Sequence, residues 1–161
     1  MGYKETYNRW LTSDVVDDDT KAELKSIENN EKEIEERFYR ELEFGTAGMR
    51  GIIGAGTNRI NIYNVRRASQ GVAKYVLSNG EDAAKAGVLI GYYTRNFSRT
   101  FAEETAKVLT CAGVKTYLFP IVHSVPEVSF GIRELGCSAG VMITASHNTR
   151  EYNGYKVYDH F

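Results

Sequence analysis

A chain of 161 residues, 42% hydrophobic and 25% charged, with a formal net charge of −1, has the make-up of one globular domain with a single core. It contains no apolar run near the ~18 residues of a membrane span. The opening Met1-Gly2-Tyr3-Lys4-Glu5 lacks the apolar core of a secretory signal. Its two cysteines, Cys111 and Cys137, form no disulfide framework and no Cys-x-x-Cys motif, so the expected compartment is the reducing cytoplasm.

The small net charge hides an imbalance. Residues 1–44 carry 13 Asp/Glu against 7 Lys/Arg, and the remaining residues 8 against 13. The acidic part reads as a solvated helical face, and the basic part either as ordinary surface or as an attractor for an anionic ligand. No interleaving of basic and aromatic residues suggests a nucleic-acid module.

Tyr3, Tyr7, Trp10 and Leu11 fall on one face of a short amphipathic helix. Asp17-Asp18-Asp19-Thr20 suits a helix start. Leu24, Ile27, Ile34, Phe38 and Leu42 mark the buried stripe of one or two helices reaching Glu43, with Glu33→Arg37 and Glu36→Arg40 pairs one turn apart. Residues 1–43 are therefore expected to form a helical arm whose charges are mostly solvated.

Five glycines then punctuate Phe44–Gly56. The segment reads either as a tight structural turn or as a backbone cradle for an anion, with Arg50 as a planar charged fork. It is neither a P-loop nor a dinucleotide fingerprint. A helix is predicted over Tyr63–Ser78, with close packing as the reason for Gly71 inside it. Strands follow at Gly87–Gly91, Val114–Phe119, Ala139–Thr144 and Gly154–Tyr158. Between them lie a helix capped by Ser98 and a short helix near Pro126–Leu135. The alternation predicts an α/β fold, a parallel-dominated sheet flanked by helices, over residues 44–161.

The loops after three of these strands hold Tyr93-Thr94-Arg95-Asn96, then His123, then Thr144-Ala145-Ser146-His147-Asn148. Ligands of open α/β sheets bind at these strand ends. Ser146 is the candidate nucleophile. His147, its sequence neighbour, is badly placed as its base, and no Gly-x-Ser-x-Gly elbow exists, so a hydrolase triad is disfavoured. Phosphoryl transfer needs charge neutralisation more than covalent activation, and Arg50 and Lys156 suit it. Arg95 either ligates a phosphate or pins a neighbouring loop, and His123 reads as a packed or solvated residue rather than a catalytic one.

With these residues in place, the chain resembles the first domain of the α-D-phosphohexomutases, the phosphoglucomutase/phosphomannomutase family. It is nearest the branch with a helical arm and phosphopentomutase relatives. The resemblance rests on residues 42–51, Gly56-Thr57-Asn58-Arg59, Thr144–Asn148 and Tyr152-Asn153-Gly154-Tyr155-Lys156. It implies that Ser146 carries a phosphoryl group exchanged with a sugar phosphate through a bisphosphate. The same phosphate would ligate Mg²⁺, Lys156 and His147 would act at the reacting groups, and Arg50, Thr46, Asn148 and Arg95 would bind substrate or phosphate.

Tyr93, Val125 and Thr149 depart from the family pattern, the first and last beside the expected site. The resemblance also makes this domain 1 of a normally four-domain enzyme. The metal, sugar and distal-phosphate loops that the family carries later are not in this sequence. Little turnover by the chain alone is therefore expected. The partners expected are the missing C-terminal domains and a sugar phosphate or bisphosphate, with a weak homodimer through an exposed edge of the last strand and an exposed aromatic carboxyl end, Tyr155, Val157, Tyr158 and Phe161. The alternative is a non-enzymatic folding or interaction module.

Overall fold

The computed structural model of the chain describes residues 2–159. The arm is three short helices, α1 (Tyr3–Thr12), α2 (Asp18–Ser26) and α3 (Glu31–Phe38). Asp17 accepts the Thr20 amide at 2.8 Å and Asn30 the Glu33 amide at 3.2 Å, which satisfies first-turn donors that have no intrahelical partner. Tyr7, Leu24, Ile34 and Phe38 close into a small core of their own. Trp10 and Tyr7 meet Phe38 edge-on at 5.6 and 5.7 Å. The helices stop at Phe38, short of Glu43, and Leu42 packs on the main core instead.

The arm's charges are mostly at the surface, but not all are solvated. The Arg37 side chain is only 13% exposed and reaches Glu23 at 2.5 Å and Glu33 at 2.8 Å. Arg59, 5% exposed and part of the loop following the first strand, pairs with Glu36 and, at 3.4 Å, with Glu33. The Glu33→Arg37 pair thus forms, whereas Glu36 turns from Arg40 to Arg59 and Arg40 donates to the Asn58 side chain. A desolvated guanidinium needs several acceptors, and that demand outweighs an exposed one-turn pair.

The remaining elements are β1 (Met49–Ile52), α4 (Ile62–Ser78), α5 (Glu81–Ala86), β2 (Val88–Tyr92), α6 (Ser98–Cys111), β3 (Thr116–Leu118), α7 (Val125–Glu134), β4 (Ala139–Ile143) and β5 (Tyr152–Asp159). The sheet order is β1-β5-β4-β2-β3. β2 runs parallel to β3 and β4, while β5 runs antiparallel to β4 and β1. The sheet flanked by helices is as expected, and it is mixed. Its parallel part is β4-β2-β3.

Val88, Ile90, Val141, Ile143 and Tyr155 face α4 and α6 through Val65, Val72, Phe101 and Leu109. On the opposite face Leu89 and Met142 meet Val128 and Ile132 of α7. Glycines set how closely α7 lies there. A Cβ on Gly91 would fall 2.2 Å from Val128, and one on Gly140 2.1 Å from Ile132. α7 itself starts with a capping box, in which Glu127 accepts the Ser124 amide at 2.6 Å.

Several local expectations are corrected. Part of the glycine-rich segment is strand β1, paired with β5 rather than left as a loop. Ser98 opens α6 without capping it; the cap position is Phe97, in the left-handed region at φ 61°. Gly71 is exposed, and a Cβ there would meet nothing within 4 Å, so close packing does not explain it. β5 is no sheet edge: it lies between β1 and β4, with Tyr155 fully buried. Of the aromatic carboxyl end expected to be exposed, Phe161 lies outside the described residues.

Candidate functional site

The crossover topology gathers the loops after β2, β3 and β4 at one end of the sheet. Residues from all three, with Lys156 of β5, enclose a cavity of about 310 Å³ lined by Tyr93, Ser124, Val125, Met142, Thr144, Ser146, His147 and Lys156. Lys156 reaches it because it stands directly opposite Met142, on the face away from the α4–α6 core. Ser146 and Lys156 therefore share one site.

Ser146 is exposed and sits in the left-handed region at φ 56°, a conformation that costs a non-glycine residue about 1–3 kcal/mol. Its amide donates to Thr144 Oγ1 at 3.4 Å. The following turn is closed by the Asn148 amide on the Ala145 carbonyl at 3.2 Å. His147 lines the cavity and is exposed, as its sequence position beside Ser146 suggested.

Arg95 does not point at the cavity. Its guanidinium donates to four backbone carbonyls of the Ser146 loop: Ser146 at 2.7 Å, Asn148 at 2.6 Å, Thr149 at 2.5 Å and Tyr152 at 3.2 Å. Of its two sequence readings, loop pinning is the one this geometry matches. Arg50, on β1 opposite Gly154, donates to the Asn148 side chain at 3.1 Å and so joins the same loop from the other side.

Thr46 lies apart from Ser146. It lines a second cavity, of about 350 Å³, with Phe44, Gly45, Ala47 and Gly48. Lys156 is the wall the two cavities share. The turn is tight: the Gly45 and Gly48 amides each bond the other's carbonyl, at 3.2 and 2.9 Å, and neither is free for an anion. Gly48 has φ 90°, and a Cβ there would stand 2.6 Å from the Tyr155 carbonyl and 3.0 Å from the Lys156 side chain. Only glycine lets the turn lie against Lys156.

His123 is packed, as read from sequence: its ring lies 4.0 Å from that of Phe119 and its Nδ1 3.5 Å from Glu127. Two of the residues that depart from the family pattern, Tyr93 and Val125, line the Ser146 cavity, and Thr149 supplies one carbonyl to Arg95. The Thr149 hydroxyl also helps hold the Glu151 carboxyl below its ordinary range.

Sequence reasoning assigned no role to Thr144, Ser124 or Asn153. Asn153 is fully buried. It donates to the Asn96 carbonyl at 2.9 Å and Ser98 Oγ at 3.0 Å, tying the Arg95 loop to β5. An asparagine inside a strand, where it is disfavoured, was the signal available.

The donor set decides the metal expectation. Among the described residues no three His, Cys, Asp or Glu side chains converge into a group that could hold a cation. A phosphate on Ser146 would add one anionic ligand, whereas Mg²⁺ demands near-octahedral oxygen coordination. These residues do not form a Mg²⁺ centre by themselves.

The family model for the phosphoglucomutase/phosphomannomutase α/β/α domain I matches residues 41–161. A probable phosphoribomutase of Schizosaccharomyces pombe is 43% identical over 157 residues, covering 96% of this chain and 27% of that protein. A phosphoglucomutase of Staphylococcus haemolyticus is 45% identical over 124 residues, 77% of this chain and 22% of the relative. The crystal structure of a candidate phosphomannomutase from Thermus thermophilus superposes with a TM-score of 0.66 at 30% identity, covering 74% of this chain and 26% of that one. The chain spans about a quarter of the length of the curated relatives it matches. No described helix is long and apolar enough to cross a membrane. On the strength of the domain match and these relatives, the chain belongs to the phosphoglucomutase/phosphomannomutase family, of which it carries domain I.

Proposed function

We propose that this chain is the phosphoryl-carrying part of a sugar-phosphate mutase acting in the cytoplasm, with Ser146 as the group that accepts and returns the phosphate. The observation that carries the reading is the meeting of the exposed Ser146 with Lys156 in one cavity at the carboxyl end of the sheet. In one direction the Ser146 oxygen attacks a phosphorus of a sugar bisphosphate. The Oγ–P bond forms, the sugar O–P bond breaks, and the serine proton ends on the sugar oxygen, leaving a sugar monophosphate. The reverse step passes the phosphate from Ser146 to the free hydroxyl of a sugar monophosphate, whose proton returns to Oγ as the Oγ–P bond breaks, and the bisphosphate so formed reorients before the serine takes its other phosphate.

Lys156 supplies positive charge beside the transferring group and is the candidate for relaying the proton. His147 borders the reacting atoms. Arg50 acts with Asn148 on the loop that holds them, and Thr46 contacts substrate from the far side of Lys156. The arm, residues 1–43, and the α/β unit, residues 44–161, are proposed to work as one structural domain. The family is generally metal-dependent, and the Mg²⁺ ligands beyond a phosphate on Ser146 are assigned to other domains, as are the sugar and distal-phosphate contacts. Positioning supplies most of phosphoryl-transfer catalysis, so the chain alone should take up phosphate without steady-state turnover.

Incubation with glucose 1,6-bisphosphate followed by intact-mass measurement tests this. The expected result is a single phosphate adduct that Ser146→Ala abolishes. No adduct on the wild-type chain, or an adduct that survives Ser146→Ala, sinks the proposal.

A further inference from the structure

Two non-glycine residues of the described chain have positive φ, Phe97 and Ser146, and Arg95 bonds the backbone at Ser98, next to the first, and at Ser146. Backbone strain of this kind persists only where surroundings over-determine it. Around Ser146 the turn bond from the Asn148 amide to the Ala145 carbonyl and the bond from the Ser146 amide to Thr144 Oγ1 act locally, and the guanidinium of Arg95 makes the most bonds to the loop from outside it. Four carbonyls from residues 146–152 converge on Arg95, and the Arg95 loop is itself held by the buried Asn153 through Asn96 and Ser98. Arg95 is also braced within its own loop, its amide on the Tyr93 carbonyl at 2.8 Å and its carbonyl accepting from Ser98 at 3.1 Å. Without the guanidinium the four converging carbonyls lose their shared donor, only the Thr149 carbonyl keeping a bond from the Tyr152 amide, and the local turn bonds are left to hold Ser146 left-handed against its cost.

We infer that Arg95 is a positioning residue for phosphoryl transfer: by clamping these carbonyls it holds Ser146 in a strained conformation that turns its hydroxyl towards the cavity shared with Lys156. Of the two roles open from sequence, phosphate ligand and loop pinning, the inference takes the second and extends it to the placement of Ser146. The inference rests on the proposed role of Ser146 as phosphoryl acceptor. It concerns the same step, formation of the Ser146 Oγ–P bond as the sugar O–P bond breaks.

The test compares the wild-type chain with Arg95→Ala and Arg95→Lys by amide hydrogen exchange and by the initial rate of adduct formation from glucose 1,6-bisphosphate. In Arg95→Ala the amides of residues 146–152 should exchange at least about tenfold faster while those of β2 and β4 keep their protection. Adduct formation should fall about 100-fold, the scale expected of a misplaced reacting group. Added guanidinium at concentrations far below denaturing should restore much of the rate to Arg95→Ala. Arg95→Lys, with one ammonium for four acceptors, should stay slow. Adduct formation by Arg95→Ala at the wild-type rate overturns the inference, as does unchanged exchange of the loop. Global loss of protection overturns it in favour of a purely structural arginine. Absence of an adduct on the wild-type chain is a different failure, since it removes the acceptor role of Ser146 itself.

Discussion

Tyr155 stands fully buried at the centre of the strand that presents Lys156, and replacing it with phenylalanine separates two effects of its hydroxyl. The hydroxyl meets Ser69 Oγ at 2.9 Å, and Ser69 Oγ also donates to the Val65 carbonyl at 2.8 Å. Tyr155→Phe therefore removes one hydrogen bond without orphaning Ser69, at a cost of about 1 kcal/mol at neutral pH. Burial pushes the Tyr155 phenol up from 10.0 to about 12.

A group raised in the folded state contributes stability that is intact below the unfolded pKa and is lost as pH rises towards the folded one. Between pH 10 and 12 the unfolded chain ionises Tyr155 and the folded chain does not. The wild type thus loses about 1.4 kcal/mol per pH unit from this residue, and the variant loses nothing from it. The other tyrosines titrate in both proteins and cancel in the difference. Urea unfolding at steps of pH should show Tyr155→Phe less stable by about 1 kcal/mol at pH 7 and equal to the wild type close to pH 11. A stability difference that stays constant from pH 7 to pH 11 would refute the reasoning, because it would mean that the phenol is hydrated in the folded chain.

Gly71→Ala in α4 should raise stability by about 1 kcal/mol, visible as a higher thermal midpoint, since the added methyl meets nothing within 4 Å and the helix interior gains a better former. The Arg59 guanidinium holds the Glu36 carboxyl below its ordinary 4.5, so the arm should loosen as pH falls below that value. Fluorescence of Trp10, the single tryptophan, should report the transition, and Arg59→Met should reduce its pH dependence.

Long apolar-patterned elements were legible because their periods are local properties. The stripe of α4, the strands β2 and β4, and the loops at their carboxyl ends follow from spacing alone, and with them the placement of Ser146. What sequence did not reveal depended on partners far away. Met49–Ile52 is a strand only because β5 lies beside it, and its glycines read locally as a loop. Glu33 and Glu36 were part of a solvated helical face in sequence, and only the fold brings the buried Arg59 to them. Arg95 was read with two roles because an arginine beside a phosphate site serves either. Only the convergence of four carbonyls, all contributed some fifty residues later, favours one of them. Phe97 took the cap position despite its bulk because Ser98 was committed to Asn153.

The strand order has a consequence for how the molecule is made. Among the described residues β1 pairs only with β5, residue 49 opposite residue 155, so the chain closes this part of the sheet by contacts between residues about a hundred positions apart. During synthesis the arm, α4 and the β2–β3–β4 layer can assemble while β1 waits without a ladder. Closing so long a loop is slow, and an unpaired strand is exposed to wrong partners in the interval. Arg50 reaches the Ser146 loop, and the Gly45–Gly48 turn reaches Lys156, only when β5 lies between β1 and β4. Of the five strands described, the one made after the other four is thus the one that assembles the site, and a nascent chain stalled before residue 152 would lack Tyr155 in its core and Lys156 in the phosphoryl pocket.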